Sequence, residues 1–261
     1  MLTDPWFYAA AVPALLLVGI SKGGFGGGLG VVGVPMLALV ISPTQAAAIL
    51  LPVLCAMDLV GLFLYRREWD RSLMRVLAPG AVAGILLGAF TFALTDDDVV
   101  RLLVGVIAVG FTLWQWGGRR LVERLAERRS EEHGSVRPNL ALGSFWASVS
   151  GYTSFIAHAG GPPLSVYLLP LRLDKTTFVG TTVVYFALVN YVKLVPYGLL
   201  GQFDTANLAT SAALLPLAPV GVLLGAVLHR RLREDLLYGV VYAALFVTGV
   251  KLLIDGSVVF Q

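Results

Sequence analysis

The sequence predicts an all-α polytopic membrane protein with about 8–10 transmembrane helices, arranged as two inverted-topology repeats with broken or re-entrant helices. Three observations lead to this prediction. Of the 261 residues, 57% are hydrophobic and only 13% are charged, whereas a typical soluble domain has about a quarter of its residues charged. Apolar runs of about 18–25 residues, long enough to cross the hydrocarbon core, lie between short charged clusters. The second half of the chain also resembles the first.

Ten apolar segments follow one another along the chain. They lie at 5–21, 24–41, 44–65, 72–94 and 98–116 in the first half, and at 139–157, 160–172, 176–200, 206–229 and 235–254 in the second. The sequence therefore predicts an N-terminal transmembrane repeat at 5–116, a cytoplasmic linker at 117–138 and a C-terminal transmembrane repeat at 139–256. Because the segment at 160–172 is short for a full crossing, we expect it, its partner at 24–41, or both to be broken or re-entrant.

Matching motifs indicate the internal repeat. Residues 79–89 (PGAVAGILLGA) match residues 216–226 (PLAPVGVLLGA), and residues 33–35 (GVP) match residues 161–163 (GPP). Tyr65 corresponds to Tyr197.

The distribution of Lys and Arg predicts how the two repeats are oriented. Basic clusters lie at 66–75, 119–137, 172–175 and 230–233, and the positive-inside rule makes these loops cytoplasmic. The basic loop at 66–71 corresponds to a loop at 201–205 whose only charge is Asp204. Equivalent loops thus fall on opposite sides, which is an inverted repeat. The net charge of +3 is accordingly a topology signal, and we expect no nucleic-acid partner.

No residue pattern points to an enzyme, a cofactor or a metal site. The three histidines (His133, His158 and His229) lie in separate regions without ligand spacing. The single cysteine, Cys55, lies in an apolar run, so we expect a buried structural thiol. An ATP-binding P-loop is absent from the sequence, so any transport would be driven by a gradient or by the membrane potential.

The first candidate binding segment is rich in glycine. It contains Lys22, Gly23, Gly24, Gly26, Gly27 and Gly28, with Pro35 a few residues later. Each glycine costs a helix about 1 kcal/mol relative to alanine, and unwound backbone at membrane depth is tolerated only where protein or a water-filled cavity covers it. We expect an unwound segment whose backbone N–H groups and lysine bind an anion. Close helix packing through small residues is the alternative.

The corresponding segment of the second half contains Ser154, His158, Gly160, Gly161 and Pro163. The sequence GGPP at 160–163 breaks a helix as firmly as the glycines do. Two broken segments at corresponding positions of two repeats indicate a transport site. His158 could hold an anion or a proton there; a hydrogen-bonded structural histidine is the alternative.

Polar residues inside two later spans complete the candidate site. Asp58 lies within an apolar run, and its repeat partner is Asn190. Because an ionisable carboxylate inside a span is costly, it indicates function, here proton coupling; a packing role or a wet position near the cytoplasmic end is the alternative. Lys193 could attract the anion or extend to the outer interface. At the segment starts we expect capping residues, namely Thr44, Gln45, Thr176, Thr177, Thr181 and Thr182.

Several of these motifs together resemble the TauE/SafE sulfite exporter family, also called the toluene sulfonate uptake permeases. The resemblance rests on the glycine-rich segment ending at 33–35, on the sequence PTQAA at 43–47 and on the doubled half, and it covers about residues 5–256. It implies transport of small sulfur-containing anions. The second half departs from the family pattern at 157–159, where AHA replaces part of a glycine-rich run.

We therefore expect a secondary transporter, in the plasma or inner membrane, for a small anion such as sulfite, a sulfonate or a related sulfur-containing organic anion. It would work by alternating access at the repeat interface, with membrane lipid around it and protons as a possible coupling ion. The alternatives are a carrier of small carboxylates, a membrane-embedded enzyme, and an accessory protein without transport.

Overall fold

The computed structural model describes residues 2–25, 28–118, 138–228 and 234–257, and the secondary structure within these ranges is helical. The helices are α1 (Pro5–Gly24), α2 (Gly33–Leu37), α3 (Pro43–Tyr65), α4 (Arg71–Leu94), α5 (Asp97–Leu113), α6 (Leu140–Ala157), α7 (Gly161–Leu168), α8 (Lys175–Leu199), α9 (Thr205–Leu214), α10 (Leu217–Leu228) and α11 (Glu234–Gly256). Most of the predicted linker, at 119–137, lies outside the described residues.

Six helical stretches in the described part of the chain are long and apolar enough to cross a membrane. They are α1, α3, α4, α8, the stretch Asp97–Gly118 that begins with α5, and the stretch Thr205–Leu228 formed by α9 and α10. Helices α6 and α11 add 18 and 23 residues. Bulky apolar side chains such as Leu86, Phe90 and Leu199 are exposed on these helices, as lipid-facing side chains are in a membrane protein. The prediction of an all-α polytopic membrane protein is confirmed.

Short polar side chains set where the long helices begin. Asp4 caps α1, Ser42 caps α3, Asp70 caps α4 and Asp204 caps α9, each accepting a hydrogen bond from a backbone N–H of the first turn. Asp174 caps α8 in the same way. The capping prediction was wrong at each position. Ser42 caps α3 ahead of Thr44 and Gln45, and Asp174 caps α8 ahead of Thr176, Thr177, Thr181 and Thr182.

The two predicted breaks are present at the ends of α1 and α6. After α1, the segment at 24–41 continues as a 3-10 helix at Gly28–Val32 followed by α2. After α6, the segment at 160–172 consists of α7 and a 3-10 turn at Leu169–Leu171. Each pair of short helices extends only about 17 Å, well below the roughly 30 Å of hydrocarbon. The 3-10 helix at Gly28–Val32 contacts α7, so the two broken segments meet inside the protein.

The long helices pack in pairs: α1 along α10, α4 along α6, α3 along α8 and α5 along α11. Glycine allows two of these pairs to approach closely. A Cβ atom at Gly84 of α4 would overlap the carbonyl oxygen of Ser148 on α6, and one at Gly225 of α10 would overlap the carbonyl oxygen of Ile20 on α1. These interfaces hold α1 and α6, the helices that precede the breaks, in fixed positions.

Candidate functional site

The first polar cluster lies at the end of α1. Lys22, in the last turn of α1, forms an ion pair with Asp58 of α3. The other carboxylate oxygen of Asp58 accepts a hydrogen bond from Asn190 Nδ2 of α8 at 2.6 Å. The Lys22 side chain is 11% exposed and that of Asp58 is 2% exposed, and the ammonium lies 5.8 Å from the centre of the Phe186 ring. A carboxylate this deeply buried is stable only because two donors compensate it.

The second polar cluster lies at the end of α6. Lys193 of α8 is fully buried, and its ammonium donates to three acceptors: the Ser154 carbonyl oxygen at 2.9 Å, Ser154 Oγ at 3.1 Å and His158 Nδ1 at 2.7 Å. An ammonium has three donors, so this environment uses all of them.

The hydrogen bonds of His158 define its tautomer. A lysine ammonium can only donate, so Nδ1 is the acceptor in the contact with Lys193. The other ring nitrogen, Nε2, lies 2.9 Å from the carbonyl oxygen of Ala47, which can only accept. His158 is therefore a neutral imidazole with its proton on Nε2. Its backbone has φ = 51°, the left-handed conformation that ends many helices and is uncommon for residues other than glycine.

A small cavity joins the two clusters. It has a volume of about 20 Å³ and is lined by Lys22 and Asn190 from the first cluster and by Ser154 and His158 from the second. Gly161, the first residue of α7, also lines it. A space of this size holds about one water molecule. A larger anion would therefore require the surrounding side chains to move, and Lys22 to leave Asp58.

Some of the predicted site residues line the small cavity, and others do not. Lys22, Ser154, His158, Gly161 and Asn190 line it, and Asp58 contacts two of them.

The remaining predicted site residues lie around the cavity or face away from it. Gly23 packs against Val222 of α10, and its carbonyl oxygen accepts a hydrogen bond from Tyr65. The Gly160 carbonyl oxygen accepts from Ser150 Oγ at 2.7 Å. Pro35 and Pro163 are buried within α2 and α7, Gly24 ends α1 and Gly28 begins the 3-10 helix. Gly26 and Gly27 lie outside the described residues.

Side chains, more than backbone, supply the polar groups of the site. Prolines 162 and 163 occupy the first turn of α7 and lack an N–H group, so the start of this helix has fewer free donors than a typical N-terminus. The start of α7 therefore offers few backbone N–H groups to an anion.

Lys193 and Phe186 were not among the predicted site residues. Snorkelling, one of the two alternatives for Lys193, was wrong, because its side chain is fully buried beside Ser154 and His158. Lys193 lies three residues after the predicted site residue Asn190, so both are on one face of α8. This spacing is the sequence signal that indicates Lys193 as a neighbour of the site. Phe186 carries no signal of its own, because an aromatic residue in an apolar helix usually packs in the core.

Two larger cavities open at the end of the molecule where α1 and α3 finish and α8 begins. One, of about 320 Å³, is lined by Gly24, Phe25, Pro162, Arg172 and Lys175, among others. The second, of about 300 Å³, shares Gly24 and Lys175 and adds Tyr65. Both lie on the side that the basic loops predict to be cytoplasmic. The first is lined by Gly24, two residues after Lys22, and by Pro162, which follows Gly161 of the small cavity.

Hydrogen bonds join the helices at the opposite end. Gln45 Nε2 donates to Asn207 Oδ1 at 3.1 Å, linking α3 to α9. Ser211 Oγ donates to the carbonyl oxygen of Ile49 at 2.8 Å, and Thr44 donates to Asp97 of α5. The cavities and these contacts therefore lie at opposite ends of the site.

A family model described as Sulfite exporter TauE/SafE matches residues 11–252. The chain belongs to this family. Comparison with the curated proteins and with the solved structures gave no match. As a TauE/SafE protein with six long apolar helices among the residues that the structure describes, the chain is an integral multi-pass membrane protein of a transporter family. Within the residues that the structure describes, there is no group of three His, Cys, Asp or Glu side chains that could hold a metal ion.

Proposed function

We propose that this TauE/SafE protein is a secondary transporter of the plasma or inner membrane that carries sulfite, a sulfonate or a related sulfur-containing organic anion. One observation carries the proposal: a buried lysine at the break of α1 lines a cavity shared with Ser154 and His158 from the break of α6. Buried ionisable groups in a membrane are costly and are usually retained for function. A site between two broken helices is a common transporter arrangement.

Matched contacts support two inverted repeats, at 5–116 and 139–256, as the framework of transport. The pair α1–α10 joins the first repeat to the second, and the pair α6–α4 joins the second repeat to the first with the equivalent helices exchanged. Tyr65 donates to the Gly23 carbonyl oxygen at 2.8 Å, and Tyr197 donates to the Phe155 carbonyl oxygen at 2.7 Å, in each case 42 residues away in sequence. Such paired interfaces would let one set of helices move against the other around a fixed site.

The conformation described here fits the inward-facing half of an alternating-access cycle. The two large cavities open towards the basic side, where Arg172 and Lys175 would attract an anion by long-range electrostatics. The hydrogen bond between Gln45 and Asn207 closes the other end. The outward-facing state would require this bond to break and the large cavities to close.

Lys22 and Asp58 would couple anion binding to a proton. Asp58 pairs with the Lys22 ammonium, which is the group that an anion would bind. An arriving anion would replace it there, and Asp58, left in a buried position without its cation, would take up a proton. The other polar groups near Asp58 are Cys55 on α3 and Asn190, Tyr191 and Lys193 on α8.

Counterflow in proteoliposomes tests the proposal. Vesicles loaded with unlabelled sulfite are expected to accumulate labelled sulfite, and a panel of thiosulfate, sulfate, taurine, sulfoacetate and small carboxylates would rank the substrates. Lys22→Ala is expected to abolish accumulation. Lys251→Ala is the matched control, because Lys251 pairs with Asp255 on the exposed surface of α11. Absence of flux with every anion, from folded protein, would refute the proposed function.

A further inference from the structure

Lys193 is a fully buried lysine whose hydrogen-bond partners carry no negative charge. Its three hydrogen-bond acceptors are a backbone carbonyl, a hydroxyl and a neutral imidazole. Among the described residues, no carboxylate lies within ion-pair distance of it. Because a charge buried in a membrane is unfavourable unless an opposite charge compensates it, an ammonium in this position indicates a negatively charged partner that arrives from outside the chain.

The second cluster can transmit the charge of Lys193 to the small cavity. Lys193 does not line the cavity, but Ser154 and His158, both bonded to it, do. Ser154 Oγ accepts a hydrogen bond from Lys193, and no described hydrogen bond uses the Ser154 hydroxyl proton. That proton is available to an anion in the cavity, and a hydroxyl that already accepts from an ammonium is a stronger donor.

Charge counting then indicates the kind of anion. Lys22, Lys193 and Asp58 interact electrostatically, and with both lysines protonated they contain two cations and one carboxylate. Once an anion replaces Asp58 at Lys22 and Asp58 takes up a proton, two positive charges remain. A dianion neutralises both, whereas a monoanion leaves one buried charge uncompensated.

We propose that Lys193 is the second cation of the transport site and makes it selective for dianions. Lys193 acts through the Ser154 hydroxyl, so it is a positioning residue and does not itself touch the anion. This inference rests on the proposed function, because it specifies the charge of the substrate that binds between the two broken segments.

Three sulfonates with two carbon atoms test the proposal, because they are similar in size and differ in charge. At neutral pH taurine has no net charge, isethionate is a monoanion and sulfoacetate is a dianion. Each is added to the purified, detergent-solubilised full-length protein, and its affinity is obtained from the concentration dependence of thermal stabilisation. This readout does not depend on knowing which anion is transported. In the wild type, sulfoacetate is expected to bind at least about tenfold more tightly than isethionate, and taurine most weakly.

Two variants separate the charge of Lys193 from its packing. Lys193→Met retains the length of the side chain without the charge. In this variant the affinity for sulfoacetate is expected to exceed the affinity for isethionate by no more than about threefold. Lys193→Arg retains the charge and is expected to keep the wild-type affinity ratio between sulfoacetate and isethionate. A merely structural role would weaken both anions alike and leave their ratio unchanged.

Three outcomes would overturn the inference. The first is equal affinity of the wild type for sulfoacetate and isethionate, and the second is an unchanged affinity ratio between these two anions in folded Lys193→Met. The third is the absence of thermal stabilisation by any of the three compounds. If Lys193→Met does not fold, the wild-type order decides alone. The counterflow experiment distinguishes the two proposals. Anion flux without a dianion preference refutes this inference only, whereas absence of flux refutes the proposed function as well.

Discussion

Helices α3 and α8 lie side by side in the centre of the protein and differ in their charges. Asp58 of α3 is a carboxylate paired with Lys22, while its predicted repeat partner on α8, Asn190, is a neutral donor to it. The cation of α8, Lys193, contacts only neutral groups. Yet each helix ends with a tyrosine that bonds the backbone near a break. The comparison teaches that the two halves have similar hydrogen-bonding frames and an unequal distribution of charge.

The largest expected effect comes from removing the carboxylate. Asp58→Ala leaves the Lys22 ammonium buried without its partner, which costs about 3–5 kcal/mol of unfolding free energy. Asn190→Ala removes one hydrogen bond to a charged group and is expected to cost about 1.5–3 kcal/mol. Unfolding by SDS in mixed micelles, followed by circular dichroism, measures both. Equal losses of unfolding free energy in Asp58→Ala and Asn190→Ala would contradict an unequal distribution of charge between α3 and α8.

The two helix-pair interfaces that join the predicted repeats, α4–α6 and α1–α10, should respond alike. Gly84→Ala and Gly225→Ala each put a methyl group against a backbone carbonyl, and each is expected to lower the unfolding free energy by about 1–3 kcal/mol. Gly110→Ala is the control, because no atom lies within 4 Å of a Cβ at that position. A loss confined to one of the two interfaces would argue against equivalent halves.

The two tyrosines allow a finer comparison. Tyr65→Phe and Tyr197→Phe each remove one hydrogen bond to a backbone carbonyl. Tyr197 is fully buried while Tyr65 is half-buried, so we expect about 1–3 kcal/mol for Tyr197→Phe and about 0.5–1.5 kcal/mol for Tyr65→Phe. The same SDS unfolding experiment measures both, and the reverse order would show that burial does not set the difference.

The smallest effect concerns the N-termini of the two helices. Ser42 caps α3 and Asp174 caps α8. Hydrogen bonds from the side chain and backbone of Thr177 lower the pKa of Asp174. A carboxyl whose pKa is lowered by folding stabilises the protein above its unfolded pKa, and this contribution is lost as the pH falls through the folded pKa.

Wild type and Asp174→Asn should therefore differ slightly in melting temperature at neutral pH and converge in acid. The effect of Ser42→Ala should not depend on pH, because serine does not titrate. A difference for Asp174→Asn that persists in acid would contradict capping by the ionised carboxylate.

The helices and their breaks could be read from the sequence because each has a local cause. Apolar runs, prolines and the glycines at 23–28 fix where a membrane helix can continue. The candidate site was only partly predictable. Lys22 and Asp58 are 36 residues apart, and nothing local indicates that the end of α1 packs beside the middle of α3. The depth of Lys193 likewise depends on which helices cover it.

His158 illustrates a second limit. A left-handed residue after a helix is usually glycine, so its φ of 51° has no signature in the sequence. This conformation follows α6, and the His158 ring bonds both Lys193 and the Ala47 carbonyl oxygen. The sequence indicated a polar residue near the break, and only the tertiary structure shows that its two ring nitrogens are already occupied.

The most direct test of the central claim is the pH dependence of anion binding in the wild type and in Asp58→Asn. Isethionate is the probe, because its single charge does not change with pH. If Asp58 competes with the anion for Lys22, the wild-type affinity falls as the pH rises, whereas Asp58→Asn binds tightly at every pH. The same pH dependence in both proteins, or weaker binding by Asp58→Asn in acid, would contradict the account.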